Sequence, residues 1–503
     1  MPKNKFYIST AIPYVNAPAH IGFAMELVQG DVLARYHRLL GDETFFLNGT
    51  DENALKNVQA AEKAGTPVQE FVDEHAKRFQ RLNKVLNISN DDFVRTTEDR
   101  HIRASQKMWQ LCEKAGDIYK KKYKGLYCVE CEEFKTKKEL LNGLCLEHGI
   151  PPEEVEEENY FFRLSKYQEN LEGLIDSGEL LIIPETRKNE IREFIKQGLE
   201  DFSISRSRER AKNWGIPVPN DPDQIQYVWF DALINYLTGL GFADDGELFK
   251  KYWEENDQRT HLIGKGITRF HAIYWPAMLL SAGIKPPSTI FVHGYINLGG
   301  EKMSKSVGNV VDPFMMVEKY GTDVIRYYLL REFSSVEDGE FSEQSLVARY
   351  NGDLANGLGN LVARVATLIE NNLPDGLTYD SKYIESATKE TIERIRQSFA
   401  VGIESFRLHE SLAAIWELIA YADKYVNDNK PWALVKEDKD KFLTVMTNLV
   451  AMIHEIAKAL TSFIPETADK ISAVFDFGKE RTDLEGHRLK VKKGESLFPR
   501  LQL

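Results

Sequence analysis

The sequence lacks any uninterrupted apolar run that approaches the ~20 residues needed to span a bilayer. It also lacks a signal-peptide region, because the polar residues Met1–Lys5 run directly into an apparent strand. These two absences exclude a membrane protein and a secreted one. We therefore expect a cytoplasmic protein that makes no membrane contact.

Positive charge is in deficit and cysteine is scarce. The 503 residues include 77 acidic and 64 basic side chains, for a net charge of −13. Indiscriminate nucleic-acid binding needs a broad basic face, so it is excluded, whereas a specific RNA contact through local basic residues is not. There are four cysteines. Three of them cluster, which in a cytoplasmic chain indicates a metal site rather than disulfides.

The first hundred residues alternate between strand and helix patterns. Phe6–Thr10 is β-branched and aromatic, apolar residues recur at helical spacing from Ile21 to Leu40, and Glu43–Leu47 is a second strand. This alternation predicts a parallel sheet with right-handed crossovers, which binds ligands beyond the carboxyl ends of its strands. His20 lies there, at the start of a helix, where backbone N–H groups favour an anion.

A candidate metal site lies in the cysteine cluster. Cys128 and Cys131 form a C-x-x-C pair, and Cys145 and His148 form a C-x-x-H pair. Three thiolates and one imidazole suit tetrahedral zinc, and four protein ligands leave no open position, so the predicted site is structural. Cys112 is left over and is interpreted as a buried small apolar residue.

The sheet pattern is interrupted and then resumes. The acidic run Glu153–Glu158 is interpreted as a solvated turn inside an insertion, and Gln226–Asp231 as a strand after it. Thr260–Lys265 and Thr289–His293 are further strands, whereas the pattern beyond Glu340 is that of a helical bundle. We therefore divide the chain into the first half of the sheet domain (1–116), an insertion (117–225) with a zinc knuckle at about 124–158, the second half of the sheet domain (226–340), and an α-helical domain with a tail (341–503).

The segment Lys302–Ser306 follows two glycines, Gly299 and Gly300, and carries two lysines and two hydroxyls. Such a loop can close on a polyphosphate, because the glycines supply hinges and the lysines supply point charges.

Taken together, these motifs resemble the methionyl-tRNA synthetase family of class I. His20–Phe23 is similar to the family's HIGH motif, Lys302–Ser306 is its KMSKS motif unaltered, and the likeness spans nearly the whole chain. It implies a Rossmann-type parallel-sheet α/β catalytic domain with a zinc-containing insertion, followed by an all-α anticodon-binding bundle. It also implies that methionine and ATP form methionyl-adenylate, and that the methionyl group then passes to the 3′ end of tRNA(Met). Implied cofactors are one structural Zn²⁺ and Mg²⁺ bound with ATP.

The resemblance also implies roles for individual residues. The catalytic residues it implies are His20, Lys302 and Lys305. The ATP-binding residues it implies are His20, Gly22, Phe23, Lys265, Lys302, Ser304 and Lys305. The methionine-binding residues it implies are Ala11, Ile12, Tyr14, Asp51, Trp229, Ala232, Tyr236, Ile267 and His271. The metal ligands it implies are Cys128, Cys131, Cys145 and His148, and the anticodon readers are Asn360, Arg364 and Trp432.

Three residues depart from the family pattern. Phe23 stands where the second histidine of HIGH is usual, Gly266 where an aspartate follows the Gly-Lys pair, and Leu233 where a proline follows Asp-Ala. Phe23 removes one polar contact to the ATP phosphates, and Gly266 removes one ribose or substrate-orienting contact. No tRNA-binding extension, a module that often dimerises, follows the bundle, so we expect a monomer.

Two other functions fit parts of the sequence. A leucyl or valyl synthetase would have the same fold, but it would carry a much larger editing insertion than the one found here. A paralogue that only holds tRNA is suggested by Phe23 and Gly266. The intact Lys302–Ser306 segment and Asp51 argue against that second alternative.

Overall fold

The computed structural model describes residues 3–129, 133–135, 140–146, 149–302, 310–478 and 483–501. The chain divides into two compact units. The first comprises residues 1–30, 40–84 and 88–293, and the second comprises residues 31–39, 85–87 and 294–503.

A six-stranded parallel sheet forms the centre of the first unit. In spatial order its strands are Asp92–Arg95, Glu43–Thr50, Lys5–Thr10, Arg259–Gly264, Thr289–His293 and Leu181–Ile183. The predicted parallel α/β sheet is thus confirmed, including its resumption after the insertion. The two edge strands, Asp92–Arg95 and Leu181–Ile183, were not predicted, because three or four residues carry too little pattern to be recognised.

The first unit also contains helices, of which the first continues into the second unit at residue 31. They are Ile21–Leu39, Leu55–Ala64, Val68–Val85, Asp99–Lys114, Gln168–Ser177, Glu185–Lys196, Val228–Ala232, Asn235–Thr238, Glu247–Phe249 and Trp275–Ser281. Short 3₁₀ turns lie at Leu164–Tyr167, Phe242–Asp244 and Lys265–Ile267, and π-helical turns at Lys250–Glu254 and Phe270–Tyr274. Three tryptophans, Trp109, Trp253 and Trp275, are fully buried in the core that these elements share.

The insertion is built on an antiparallel sheet. Its strands, in spatial order, are Phe202–Ser203, Glu153–Phe162, Ile118–Cys128 and Glu133–Lys135. Smaller strands are Leu140–Leu141 with Leu144–Cys145, and Ser205–Ser207 with Asp221–Gln226 and Pro217–Val218.

The acidic run is therefore a strand, and its interpretation as a solvated turn was wrong. Lys122 lies opposite Glu158 and Lys124 opposite Glu156 in the antiparallel register. Opposite charges in facing cross-strand positions stabilise a sheet. The acidic run therefore pairs with the basic run, and the sequence of either run alone does not indicate this pairing.

The predicted strand Gln226–Asp231 is also corrected. A strand ends at Gln226, and Val228–Ala232 is helical. The Tyr227 carbonyl accepts hydrogen bonds from the N–H groups of Phe230 at 2.8 Å and Asp231 at 3.2 Å. Bulky residues favour a strand, but here the helical turn buries the side chains of Phe230 and Asp231, and this tertiary preference prevails.

The second unit is predominantly helical, as predicted for the chain beyond Glu340. Its helices are Pro313–Tyr320, Thr322–Arg331, Glu343–Arg349, Asn360–Asn372, Ser386–Glu404, Leu408–Asn429, Pro431–Glu437, Lys439–Phe463 and Pro465–Phe475, with a π-helical stretch at Tyr350–Gly359 and a 3₁₀ turn at Ser381–Tyr383. Its short strands are Ile296–Leu298, Glu301–Lys302, Gly339–Glu340, Leu377–Thr378 and Arg488–Leu489.

One helix, Lys439–Phe463, is long and apolar enough by length and composition to cross a membrane, which the sequence reading did not anticipate. Of its most apolar 18-residue window, 72% is buried inside the protein. Burial of that extent is what a core helix of a bundle shows.

Candidate active site

His20 precedes the first helix, and its imidazole is held by the backbone around it. The Phe23 N–H lies 3.3 Å from His20 Nδ1 and donates to it, which leaves the ring hydrogen on Nε2. A Cβ added at Gly22 would lie 3.0 Å from His20 Nδ1. Glycine at this position therefore leaves room for the imidazole beside the helix N-terminus.

The structure gives Phe23 a packing role. Its ring meets the buried ring of Phe79 edge-on, with centroids 5.5 Å apart. Phe79 belongs to the helix Val68–Val85. The residue that departs from the family motif is thus a partner in an aromatic contact between two helices.

A buried carboxyl group that the sequence reading missed supports the end of the first strand. Glu26 Oε1 accepts the Ala11 N–H at 2.8 Å, and its Oε2 lies 2.8 Å from His293 Nε2. Burial raises the pKa of Glu26, while the hydrogen bond from His293 opposes that shift. The clue in the sequence was an acidic residue on the apolar face of the first helix.

Asp51 and Tyr14 are brought together at the carboxyl ends of the first two strands. They form an isolated parallel bridge, in which the Asp51 N–H donates to the Pro13 carbonyl at 2.9 Å. Asp51 is buried, with 1% of its surface exposed, and its Oδ1 accepts the Asn53 N–H at 3.3 Å. Ala11 and Ile12 occupy the chain between this bridge and the strand.

An aromatic cluster continues from Tyr14. Trp229 meets Tyr14 edge-on at 6.3 Å and stacks on Phe270 at 3.8 Å, with ring planes 6° apart. Phe270 was not predicted as a site residue, because a lone phenylalanine in a helical pattern is usually core. Ala232 follows Trp229 on the same short helix and is buried.

Tyr236 and His271 form a directional pair beside this cluster. The Tyr236 hydroxyl lies 2.7 Å from His271 Nε2, and His271 Nδ1 lies 2.9 Å from the Ile267 carbonyl. Because a carbonyl only accepts, Nδ1 carries the ring hydrogen and Nε2 accepts from Tyr236. Burial lowers the pKa of His271 to about 4, so the imidazole is neutral at pH 7.

A second imidazole, also missed from the sequence, underlies this pair. His261 lies 4.1 Å from the Tyr236 ring, its Nδ1 is 2.7 Å from Ser9 Oγ, and its Nε2 accepts from Trp275 Nε1 at 3.1 Å. Burial lowers the pKa of His261 well below its usual value. The predicted methionine contacts Tyr236 and His271 thus lie beside His261, and both imidazoles have a hydrogen-bond partner at each ring nitrogen.

The buried imidazoles predict a pH dependence of stability. Burial lowers the pKa of His101 to about 3, as it lowers those of His261 and His271. The unfolded chain binds these protons below pH 6.5 and the folded chain does not, so the free energy of unfolding falls as the pH drops below 6.5. One imidazole contributes up to about 1.4 kcal/mol per pH unit.

Urea unfolding between pH 7.5 and 5 measures this slope. His101→Asn should reduce this slope by up to one proton relative to the wild type. A slope equal to that of the wild type would contradict the assignment of His101 as an imidazole that does not bind a proton in the folded chain.

Lys265 lies in a 3₁₀ turn that directly follows the strand Arg259–Gly264. Lys302 ends the two-residue strand Glu301–Lys302, which pairs with Ile296–Leu298 across the Gly299–Gly300 turn. Its backbone is thus in a hairpin strand, where the sequence reading expected a loop. Ser304 and Lys305 lie outside the described residues.

The cysteines are described in part. Cys128 and Cys145 are buried, with 0% and 2% of their surface exposed. The Gly149 N–H donates to the Cys145 carbonyl at 2.8 Å, and the Cys145 N–H donates to the Ile150 carbonyl at 2.8 Å. Cys131 and His148 lie outside the described residues. Cys112 is fully buried, as predicted, and burial raises its pKa to about 12.

In the helical unit, two of the three predicted anticodon readers line one open groove. Arg364 and Trp432 contribute to a cavity of about 330 Å³. Arg364 donates to Asn427 Oδ1 at 2.9 Å and lies 3.6 Å from Asp423 Oδ1. Asn360 is exposed one turn before Arg364, at the start of the same helix, and is not among the residues that line the cavity.

The parallel sheet, the histidine at its first helix and the helical unit that follows define a class I tRNA synthetase. The sequence model for class I tRNA synthetases (M) matches residues 6–147 and 135–366, and the model for the anticodon binding domain of methionyl tRNA ligase matches residues 373–496. The chain belongs to the methionyl-tRNA synthetase family.

Individual relatives agree with this assignment. The chain is 42% identical to the methionine–tRNA ligase of Thermotoga maritima, over 93% of this chain and 74% of that one. It is 43% identical to the ligase of Brucella suis, over 94% and 92% of the two chains. It resembles the structure of Mycobacterium tuberculosis methionyl-tRNA synthetase in complex with methionyl-adenylate, with a TM-score of 0.92 and 40% identity over 99% of this chain and 100% of that one.

Proposed function

We propose that the protein activates methionine with ATP and passes the methionyl group to the 3′ end of tRNA(Met). A methionine carboxylate oxygen attacks the α-phosphorus as the bond to pyrophosphate breaks. A ribose hydroxyl of the terminal nucleotide then attacks the carbonyl carbon, and AMP leaves. Both steps depend mainly on positioning and on charge stabilisation, so no covalent nucleophile is required.

The observation that supports this proposal is a continuous series of contacts from the buried carboxyl group of Asp51 to a cluster of aromatic side chains. Asp51 pairs with Tyr14, Tyr14 touches Trp229, Trp229 stacks on Phe270, and the next residue, His271, bonds to Tyr236. The carboxylate suits an ammonium group. The rings suit a thioether, whose contact with an aromatic ring is worth about 0.3–1.5 kcal/mol.

The remaining methionine contacts are proposed from the same region. Ala11 and Ile12 border the bridge, Ala232 lies on the helix of Trp229, and Ile267 holds the His271 ring through its carbonyl. Because Nε2 of His271 accepts from Tyr236 and Nδ1 donates to Ile267, the His271 imidazole is neutral in this arrangement.

For ATP, we assign anion contacts to His20 and to the helix N-terminus around Gly22 and Phe23. Lys265 supplies a further charge at the end of a sheet strand. Lys302, Ser304 and Lys305 are assigned to the triphosphate on the sequence motif, and Mg²⁺ enters with the nucleotide.

We further propose one structural Zn²⁺ held by Cys128, Cys131, Cys145 and His148. Supporting this, the two described thiols, those of Cys128 and Cys145, are buried, and the Cys145 carbonyl accepts the Gly149 N–H at 2.8 Å. The ion would fix the fold of the insertion, and no chemical step depends on it. We also propose the four-segment domain division given above, a monomeric state and a cytoplasmic location.

Removing one ligand tests the zinc proposal. Cys145→Ser should lower the bound zinc from one per chain to near zero after dialysis, because oxygen replaces a thiolate ligand. Metal analysis by mass spectrometry measures this, and Cys112→Ser is the matched control that should keep its zinc. Full zinc retention in Cys145→Ser would refute the ligand assignment.

For the tRNA step, we assign anticodon contacts to Asn360, Arg364 and Trp432. Trp432 follows Pro431 and is 50% exposed, as a ring that stacks on an unstacked base has to be. Trp432→Ala should reduce kcat/KM for tRNA(Met) by about 5- to 150-fold, equivalent to 1–3 kcal/mol of stacking.

Aminoacylation kinetics with varied tRNA measure this loss. Tyr383→Ala, which removes another exposed ring of the same unit outside the groove, is the control and should charge tRNA normally. If methionine activation fell in parallel in Trp432→Ala, the anticodon role would be wrong.

ATP–pyrophosphate exchange against a panel of amino acids tests the proposed function directly. Exchange that depends on methionine, with leucine and isoleucine silent, is the expected result. Absence of exchange with every amino acid, from folded and zinc-loaded protein, would instead favour a protein that only holds tRNA.

A further inference from the structure

One of the positively charged side chains that line the groove in the helical unit, Lys493, belongs to the C-terminal tail and not to a helix. The groove is lined by Ala363, Arg364, Thr367, Leu368, Trp432 and Lys493. The first four lie on the helix Asn360–Asn372, and Trp432 lies on Pro431–Glu437. Lys493 is exposed. The groove therefore combines an apolar floor, an exposed indole and two positively charged side chains from three separate segments.

The tail is fixed on both sides of Lys493. Before it, Arg488–Leu489 pairs with Leu377–Thr378, and the Lys492 N–H donates to the Val474 carbonyl at 3.0 Å. After it, the Pro499 carbonyl accepts the Tyr350 hydroxyl at 2.7 Å. These contacts anchor the tail backbone, so the position of Lys493 at the groove is set by the fold.

The two cations of the groove differ in how their charge is balanced. Arg364 donates to Asn427 and lies beside the Asp423 carboxyl group. The Lys493 ammonium forms no ion pair with any residue in the described part of the chain. Its backbone N–H lies 3.4 Å from Glu370 Oε2, which fixes the main chain and leaves the side-chain charge uncompensated.

An exposed ring beside an uncompensated ammonium suits a nucleotide whose base stacks while its phosphate is neutralised. We propose that Lys493 binds a backbone phosphate of the tRNA anticodon loop, next to the nucleotide that stacks on Trp432. This inference rests on the proposed function, and it adds the C-terminal tail to the RNA-binding surface. Arg364, with two partners in place, is positioned for a base edge, and Lys493 for the backbone.

Salt dependence of tRNA binding distinguishes this role from a structural one. For Lys493→Ala, we expect roughly tenfold weaker binding of tRNA(Met) at moderate salt, and a slope of log affinity against log salt reduced by about 1. Lys493→Arg should keep the wild-type slope. Lys492→Ala, an exposed lysine one residue away that does not line the groove, is the matched control and should equal the wild type. Equal affinities and slopes for Lys493→Ala and Lys492→Ala would overturn the proposal.

The contacted phosphate can be located with anticodon stem-loops that carry one neutral methylphosphonate each. One substituted position should weaken wild-type binding and leave Lys493→Ala unaffected, since the contact is already absent there. A uniform difference between the two proteins at every position would exclude a defined phosphate contact. Methionine-dependent pyrophosphate exchange on the same preparations tests the proposed function separately, because it needs no tRNA.

Discussion

Replacing Asp51 with asparagine is expected to reduce kcat/KM for methionine by about 30- to 4,000-fold, which corresponds to the 2–5 kcal/mol lost when one partner of a buried charge pair is removed. Asp51 is 1% exposed, so water cannot replace the lost carboxylate charge. Asparagine keeps the size of the side chain and an oxygen that can accept the Asn53 N–H. The effect should therefore appear in the methionine KM of the exchange assay and not in protein yield.

The neighbouring carboxyl group of Asp231 provides a matched comparison. It is fully buried, its Oδ2 accepts from Asn53 Nδ2 at 2.9 Å, and burial raises its pKa well above the usual range. Because burial favours the protonated form of Asp231, Asp231→Asn should remove less charge and should cost less than Asp51→Asn. Similar losses in the two variants would mean that general disruption, and not ammonium recognition, explains the Asp51 result.

Arg326→Met is expected to destabilise the helical unit by about 3–5 kcal/mol, the usual cost of breaking a buried ion pair from one side. Arg326 is fully buried and lies 2.7 Å from Asp31 Oδ2. It also donates to the carbonyls of Phe463 at 2.8 Å and Leu86 at 3.0 Å. Methionine fills a similar volume but leaves the carboxylate and both carbonyls without this donor.

Urea unfolding measures the loss, with Arg394→Met as the control. Arg394 pairs with Glu417 on the surface of the same unit, so its removal should produce no measurable change. The double variant Arg326→Met/Asp31→Leu should lose less than the sum of the two single variants, because each single variant already removes the contact between Arg326 and Asp31. Arg35 also donates to Asp31 Oδ2 at 2.7 Å, and its loss of that partner is the same in Asp31→Leu and in the double variant. Strict additivity would contradict the assignment of Arg326 and Asp31 as one coupled pair.

Local patterns predicted what depends on nearby residues. The strands ending at Thr10 and His293, the helix after His20 and the long helices of the second unit all follow from periodicities of two and 3.6. The failures share a different cause. The Glu153–Glu158 run is a strand because the basic strand Ile118–Cys128 lies opposite it, a partner some thirty residues away in the chain.

The candidate site divides in the same way. The resemblance of short motifs identified Asp51, Trp229, Tyr236 and His271 as methionine contacts, and the assignment of these roles stays a prediction. Phe270, His261 and Glu26 have no motif of their own. They enter the site only because their rings and carboxyl groups contact residues that are distant in the chain.

The sequence by itself determined the fold class, the family and the residue types available for methionine, ATP and zinc, because these follow from local periodicity and from motifs of a few residues. Only the tertiary structure decided which tautomer His271 adopts, that Phe23 packs on Phe79, and that the tail brings Lys493 to the groove of Trp432. Hydrogen-bond direction, ring packing and charge balance depend on atoms brought together through space, and no local pattern of residues encodes them.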